Sequence, residues 1–238
     1  YRGGKLSIQG VLIDHRFHHY YFFQRINVTI AILIMAAGES SRFKAASSGH
    51  HKLLSNLPGS SLTILEATYR KVLTAYPPDE ILLVTNKSDI GVAKLAAELG
   101  SPTISIETDG LGTSIASAVK ACTEGNILKS KKLQGLFILP ADMPFIASET
   151  LMLLKTTLTA MLKESPAMAI RPIFEDQAGH PVGFSLPLFN DLSTLLGDDG
   201  AKSVLKNHPL KLVSTVDRGT LWDIDTPEDL AKIPSFTI

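Results

Sequence analysis

From Ile30 onward, short unbroken apolar runs alternate with segments of helical period, and this alternation restricts the fold more than any other feature of the chain. Ile30–Ala36 is apolar at every position and stops at Gly38. A strand with one wet face would alternate apolar and polar residues, whereas a strand covered on both faces reads as a continuous apolar run. Ile81–Val84, Thr103–Ile106 and Leu136–Leu139 repeat the pattern. Between the runs, Ser61–Tyr76 sets Leu62, Leu65, Tyr69, Val72, Leu73 and Tyr76 on one helical face. Ser88–Leu99 reads as a helix closed by Gly100, and Thr113–Thr123 as one that turns Ile115, Ala118, Val119 and Cys122 inward. A further helix is expected over Ser148–Lys163. Strand and helix in strict alternation predict an α/β fold: a parallel sheet between two layers of helices. Beyond Pro166 the pattern changes to short strands over Met168–Arg171, Pro181–Ser185 and Leu210–Thr215, at least one of them expected to run antiparallel.

The chain has 238 residues, 45% of them hydrophobic, which suits one α/β domain, assigned to residues 30–238. Residues 1–29 hold His15, His18, His19 and the cluster Tyr20-Tyr21-Phe22-Phe23 without any period, and read as an N-terminal extension, either a tail or an added edge element. The three histidines could suggest a metal site, but the lack of a cysteine or carboxylate set beside them weighs against it. Asp14 and these histidines interrupt the apolar centre that a signal peptide needs, and no run reaches the roughly 20 apolar residues of a membrane helix. A cytoplasmic protein with no membrane contact is expected. Lys+Arg and Asp+Glu are equal at 23 each, so the basic excess of a nucleic-acid-binding protein is missing. Cys122 stands alone, which excludes an internal disulfide and a multi-cysteine metal site; it reads as a small apolar helix residue.

In open parallel sheets ligands bind beyond the carboxyl ends of the strands, and the unusual residues of this chain fall there. After the first strand comes Ala36-Ala37-Gly38-Glu39-Ser40-Ser41-Arg42, small residues that allow a close backbone approach to a base or phosphate. Arg42 and Lys52 supply positive charge; a tight turn with a solvated arginine explains the same residues without a ligand. After the third strand comes Thr108-Asp109-Gly110-Leu111-Gly112-Thr113-Ser114, in which Thr113 or Ser114 is expected to cap a helix whose free amides favour an anion. After the fourth comes Pro140-Ala141-Asp142-Met143-Pro144, a carboxylate between prolines that suits Mg²⁺, or an ordinary Asx turn. Near the end stands Trp222-Asp223-Ile224-Asp225-Thr226-Pro227-Glu228-Asp229. Thr226, Pro227 and the acids after them are a helix start, which leaves Asp223 and Asp225 as candidate second metal carboxylates. Gly179-His180-Pro181 enters a strand, and Gly197-Asp198-Asp199-Gly200 reads as a turn before a helix.

Taken in order, these motifs resemble the molybdenum-cofactor cytidylyltransferase family, within the broad group of MobA-like and sugar-nucleotide-type transferases. Met35-Ala36-Ala37-Gly38, Ser40 and Arg42 stand for the family's opening loop; Gly110-Leu111-Gly112-Thr113-Ser114-Ile115 for its Gly-Met-Gly-Ser-Ser-Leu. Ala141-Asp142-Met143-Pro144, Gly179-His180-Pro181 and Asp223 to Asp229 match family motifs directly. The resemblance implies a Rossmann-like three-layer α/β/α sandwich, mostly parallel with an antiparallel element. It implies transfer of CMP from CTP to molybdopterin, a phosphorylated pterin, with release of pyrophosphate. Ala36, Ala37, Gly38, Ser40, Arg42, Lys52, Gly112, Thr113 and Ser114 would bind the nucleotide, Arg42, Lys52 and Asp142 would be catalytic, and Asp142 and Asp225 would bind Mg²⁺. Gly179, His180 and Pro181 would face the acceptor. A transient complex with a molybdoenzyme or its chaperone follows from the same resemblance. Two departures stand out: Phe43-Lys44 replaces the family's Met-Gly, and an insertion over Ala45–His51 pushes the lysine followed by Leu53-Leu54 back to Lys52, leaving Lys44 as the alternative. Other readings are GTP as donor, a sugar- or polyol-phosphate acceptor, and a non-catalytic cofactor-binding or chaperone protein.

Overall fold

The computed structural model describes residues 28–38, 40–47, 49–128, 132–163 and 167–233; the expected extension therefore lies almost wholly outside the described residues. In chain order the elements are β1 (Thr29–Ala36), α1 (Ser41–Ala46), α2 (Ile64–Leu73), β2 (Ile81–Asn86), α3 (Ile90–Glu98), β3 (Thr103–Ile106), α4 (Leu111–Glu124), β4 (Leu133–Pro140) and α5 (Ser148–Met161). Then follow β5 (Ala169–Phe174), β6 (Gln177–Ala178), β7 (Val182–Ser185), α6 (Phe189–Leu192), α7 (Lys202–Asn207), β8 (Leu210–Ser214) and α8 (Pro227–Ala231). Every strand and every longer helix expected from the periodicity is present, with ends moved by a few residues.

One sheet joins the strands in the order β3-β2-β1-β4-β7-β5-β6, with β8 pairing on β5. β1 lies between β2 and β4, both parallel to it. β7 runs antiparallel to β4 and to β5, and is the reversed strand expected in the second half. The alternation of side chains along a strand sends successive residues to opposite faces. Ile30, Ile32 and Ile34 of β1 join Ile81, Leu83, Phe137 and Leu139 in a core covered by α2, α3 and α5. Ala31 and Leu33 join Leu82, Val84, Leu136 and Ile138 in a second core covered by α4, α6 and α7. Both faces of β1, β2 and β4 are thus dry, as unbroken apolar runs require. The two strands at the sheet's margins differ. β3 alternates exposed and buried residues, and β8 is largely exposed, because each has helical cover on one side at most. Leu73, placed inward by the helical pattern, is 37% exposed at the end of α2, while Tyr76 is buried beyond the helix end. No helix among the described residues is long and apolar enough to cross a membrane.

Gly183 sits where the parallel and antiparallel halves of the sheet meet, paired with Phe137 on one side and Ile170 on the other. A methyl group on it would lie 2.4 Å from Phe137 Cε1 and 2.6 Å from Ile170 Cγ2. Gly183→Ala should therefore lower the unfolding free energy by about 1–3 kcal/mol through overpacking, read as a lower urea midpoint. Gly38→Ala, where a new methyl meets nothing within 4 Å, should stay within about 0.5 kcal/mol of the parent. Equal effects from the two substitutions would refute this account of the sheet's centre.

Candidate active site

A cleft of about 670 Å³ opens beyond the carboxyl ends of the strands. Ala37 and Gly38 after β1, Thr108 to Leu111 after β3, Pro140 at the end of β4, and Arg171 and His180 from the second half all line it. The position is the one parallel sheets offer, since strand ends release their loops there with helix N-termini close by.

The carboxylates sit just past the end of β4. The amide of Ala141 continues the sheet by donating to the Met35 carbonyl at 3.2 Å, and the Ile224 amide donates to the Asp142 carbonyl at 3.1 Å. Ile224 is fully buried, so Asp223 and Asp225 share the opposite face of the extended stretch; Asp225 reaches Lys52, and Asp223, more exposed, is close enough that burial and the charges of Asp142 and Asp225 raise its carboxyl above the usual range. Between them lies Lys52. Its Nζ donates to Asp142 Oδ2 at 2.5 Å and to Asp225 Oδ1 at 3.2 Å. Burial alone would lower the lysine pKa, but the charges of Asp142 and Asp225 and their hydrogen bonds outweigh it and leave the ammonium more basic than usual. Asp142 Oδ1 is buried and takes no hydrogen bond from the described residues. The three groups form an oxygen-lined cation position that the chain fills with its own ammonium, and two hard carboxylates with an unused oxygen fit a divalent ion such as Mg²⁺ or Mn²⁺. No cluster of three or more histidine, cysteine, aspartate or glutamate side chains suits a metal among the described residues, so the rest of an ion's shell would come from water or substrate.

Lys52 opens a single 3-10 turn, Lys52–Leu54, capped by His51. His51 Nδ1 accepts from the Leu53 amide at 3.2 Å. Its Nε2 therefore carries the hydrogen and meets Asp89 Oδ2 at 2.8 Å, with Ser40 Oγ at 3.3 Å from the same nitrogen. Burial lowers the His51 pKa against the opposing charge of Asp89, which keeps the ring neutral and Nδ1 free to accept. Asp89 in turn caps α3 through the Val92 amide. The inserted segment is thus tied at its far end to the loop after β1. Neither His51 nor Asp89 carries a local signal; only the adjacency of His51 to the lysine hinted at it.

The expected sites divide as follows. Ala36 is buried at the end of β1, and Ser40 takes a left-handed conformation, φ 54°, at the start of α1. Arg42 lies on α1, with its side chain outside the described residues. Thr113 and Ser114 do not cap α4. The helix starts earlier, with Gly110 at its cap and no side-chain cap bond. Nor are its amides free: the Gly197 carbonyl accepts from the Gly112 amide at 2.6 Å, Asp198 Oδ1 from that of Leu111 at 3.3 Å, and Thr113 Oγ1 accepts from the Gly197 amide at 3.1 Å. Gly112 permits this approach, since a methyl there would lie 2.7 Å from the Leu196 carbonyl oxygen. The turn at 197–200, read as plain, is thus a lid on a helix end. Ser114 is buried on the cleft wall and bonded to Thr108 Oγ1 at 2.7 Å. Gly179 packs against Thr220, and the His180 amide donates to the Thr220 carbonyl at 2.8 Å. His180 Nδ1 is buried without a partner among the described residues, and Pro181 is buried behind it. Arg171, which the sequence reading passed over, joins His180 on the wall and donates to the carbonyls of Gly179 at 3.1 Å and Ala178 at 2.8 Å. Cys122 is buried in α4, its thiol pushed up to about 12 by burial, and has no part in the cleft.

Comparison with known proteins bears on the fold and the family. The chain is 28% identical over 209 residues to the purine catabolism protein PucB of Bacillus subtilis, which covers 83% of this chain and 92% of the relative. Rv0371c from Mycobacterium tuberculosis H37Rv, at 23% identity, superimposes with a TM-score of 0.67 over 86% of this chain and 96% of its own. That protein has also been solved as a complex with manganese. A nucleotidyl transferase from Methanothermobacter, 20% identical, gives a TM-score of 0.66 over 86% of this chain and 95% of that one. These structural likenesses are likenesses of fold. The MobA-like NTP transferase domain matches residues 32–212, which takes in the sheet and most of the cleft, and the chain accordingly belongs to the MobA-like NTP transferase family and is a nucleotidyltransferase.

Proposed function

We propose that this nucleotidyltransferase moves CMP from CTP onto the phosphate of molybdopterin and releases pyrophosphate, with Mg²⁺ held by Asp142 and Asp225. The observation that carries the reading is the pairing of one ammonium with these two carboxylates, one of them a residue beyond the bond that ties Ala141 to Met35, just before the small-residue loop Ala36–Gly38. Bound there, Mg²⁺ would neutralise charge that develops on the phosphate oxygens. The manganese complex of Rv0371c supports a divalent ion in this fold.

The residues of the chain would do the rest by alignment and electrostatics. Ala36, Ala37 and Gly38 would bring backbone close to the nucleotide, and Ser40, Arg42 and Lys52 would serve its phosphates, with Gly112, Thr113 and Ser114 shaping the far side of the pocket. An acceptor phosphate oxygen forms the new bond to the α-phosphorus as the bond from that phosphorus to the pyrophosphate oxygen breaks. A phosphate monoester is mostly ionised at neutral pH, with its second pKa near ~6, so no general base is needed. His180 suits this scheme as a neutral group. Burial, helped by the charge of Arg171, pushes its pKa down to about 4, so it is uncharged at neutral pH and offers Nδ1 to the acceptor beside the Arg171 guanidinium. Gly179 and Pro181 hold it in place.

Three expectations test this reading. Asp142→Asn and Asp225→Asn should each cut pyrophosphate release from CTP and molybdopterin by about a hundredfold or more while the far-UV circular dichroism stays unchanged, because the amide keeps the shape and loses the charge that binds the ion. Near-parental turnover in Asp142→Asn at millimolar Mg²⁺ would refute the metal assignment.

The second concerns the base. Ala37 is buried on the cleft wall, and its methyl narrows the space open to a purine. The parent should prefer CTP to GTP in kcat/KM, and Ala37→Gly should shift the ratio toward GTP by roughly tenfold, the scale of a single methyl contact. A parental preference for GTP would replace cytidylyl by guanylyl transfer.

The third concerns pH. The unfolded histidine titrates near 6.5 and folded His180 at about 4, so the unfolded chain takes up the proton first as pH falls. His180 therefore contributes stability that is complete above pH 6.5 and is lost between there and pH 4, up to about 3 kcal/mol. Urea titrations of the parent and of His180→Gln across this window should show a shallower fall in the variant. Identical slopes would mean that His180 is not held neutral.

A further inference from the structure

A lysine expected to serve the phosphates stands instead between the two carboxylates expected to hold the metal. Its ammonium makes contacts of 2.5 Å and 3.2 Å to Asp142 and Asp225, and its side chain is 11% exposed. Two partly buried carboxylates held this close repel one another, and the ammonium offsets that repulsion. A divalent ion on the same oxygens would face that ammonium at a few ångströms, where like charges repel strongly. Lysine and ion therefore compete for the oxygens that Lys52 now holds.

The backbone of Lys52 is held by the His51 cap and the buried Leu53, whereas its four-carbon stem is flexible and its ammonium can take partners in several directions. His51 lies beside Ser40 as well as Asp89, so the lysine and the loop after β1 hang from one anchor. A triphosphate on that loop would give the ammonium a new anion within reach of its stem, with no movement of the main chain.

We infer that Lys52 is the built-in counter-ion of the Asp142 and Asp225 carboxylates, and that an incoming divalent ion displaces it onto the triphosphate. This rests on the reading of Asp142 and Asp225 as ligands of the divalent ion. Ion and nucleotide then bind interdependently. An ion arriving alone must strand a buried ammonium, and an ion arriving with a nucleotide supplies the ammonium's next partner. By linkage each tightens the other by the same factor.

The test uses Mn²⁺ as the probe on the full chain without nucleotide, with binding followed by electron paramagnetic resonance and thermal unfolding followed in parallel. Lys52→Met and Lys52→Gln should bind Mn²⁺ tighter than the parent by about tenfold or more, the usual scale of coupling between two sites. Both should unfold at lower temperature than the parent without metal, and both should gain more from Mn²⁺. Adding Asp142→Asn to either variant should abolish the gain in affinity. If the lysine variants bind Mn²⁺ no tighter than the parent while Asp142→Asn weakens binding, the counter-ion role is overturned and the metal centre stands. If Asp142→Asn leaves Mn²⁺ binding unchanged with and without Lys52, the metal assignment itself fails and takes the counter-ion role with it.

Discussion

One backbone hydrogen bond, from the Ile224 amide to the Asp142 carbonyl, brings together segments that are far apart in the chain. Asp142 is carried by the sheet, as the continuation of a central strand. Asp225 is carried by a short extended stretch pinned on either side of that bond. Trp222 packs on Phe145 with ring centroids 4.7 Å apart, and Thr226 forms a reciprocal capping box with Asp229 at the start of α8. With Ile224 buried between these pins, Asp225 has little freedom to turn away. The charge pair past the end of β4 is therefore a product of apolar packing and main-chain geometry, and Lys52 answers a repulsion that the fold has already imposed.

The same division between local pattern and long-range contact decides what could be read in advance. β1, β2 and β4 were legible because burial on both faces demands unbroken apolar runs, and α4 and α5 because one apolar face leaves a helical period. The exposure of β3 and β8 was not legible, since a margin of the sheet is defined by the absence of a neighbour. β6 and the short helices α1, α6 and α7 are too brief to carry a period and are held by what they touch. Around the strand ends, Asp142, Asp225, Lys52 and His180 could be picked out as residues. Their relations could not: the ammonium between the carboxylates, the tie from His51 to Asp89, and Arg171 beside His180 each join separate parts of the chain.

The start of α4 shows the limit most clearly. A glycine-rich turn before a helix suggests amides waiting for an anion, and the general physics is sound. Here the Gly197 carbonyl and the Asp198 carboxylate already take those amides. Glycine at 112 serves the approach of a second loop, a use of a missing side chain that a short motif does not distinguish from phosphate binding. Ser114 stands on the cleft wall beside Gly110 and Leu111, with its hydroxyl already bonded to Thr108 and to the Gly110 carbonyl.

The tie between His51 and Ser40 also bears on how such a loop can vary. The entropy of closing a loop grows only slowly with its length, so residues added between two fixed ends cost little once the ends are joined. Ser40 and the His51 ring are joined across the insertion, and the lysine leaves the chain immediately after the junction. The segment between them can then lengthen or shorten without altering the span from the small-residue loop to the ammonium. Variation in size is confined to an arc outside the closed ring, and the chemistry inside is insulated from it.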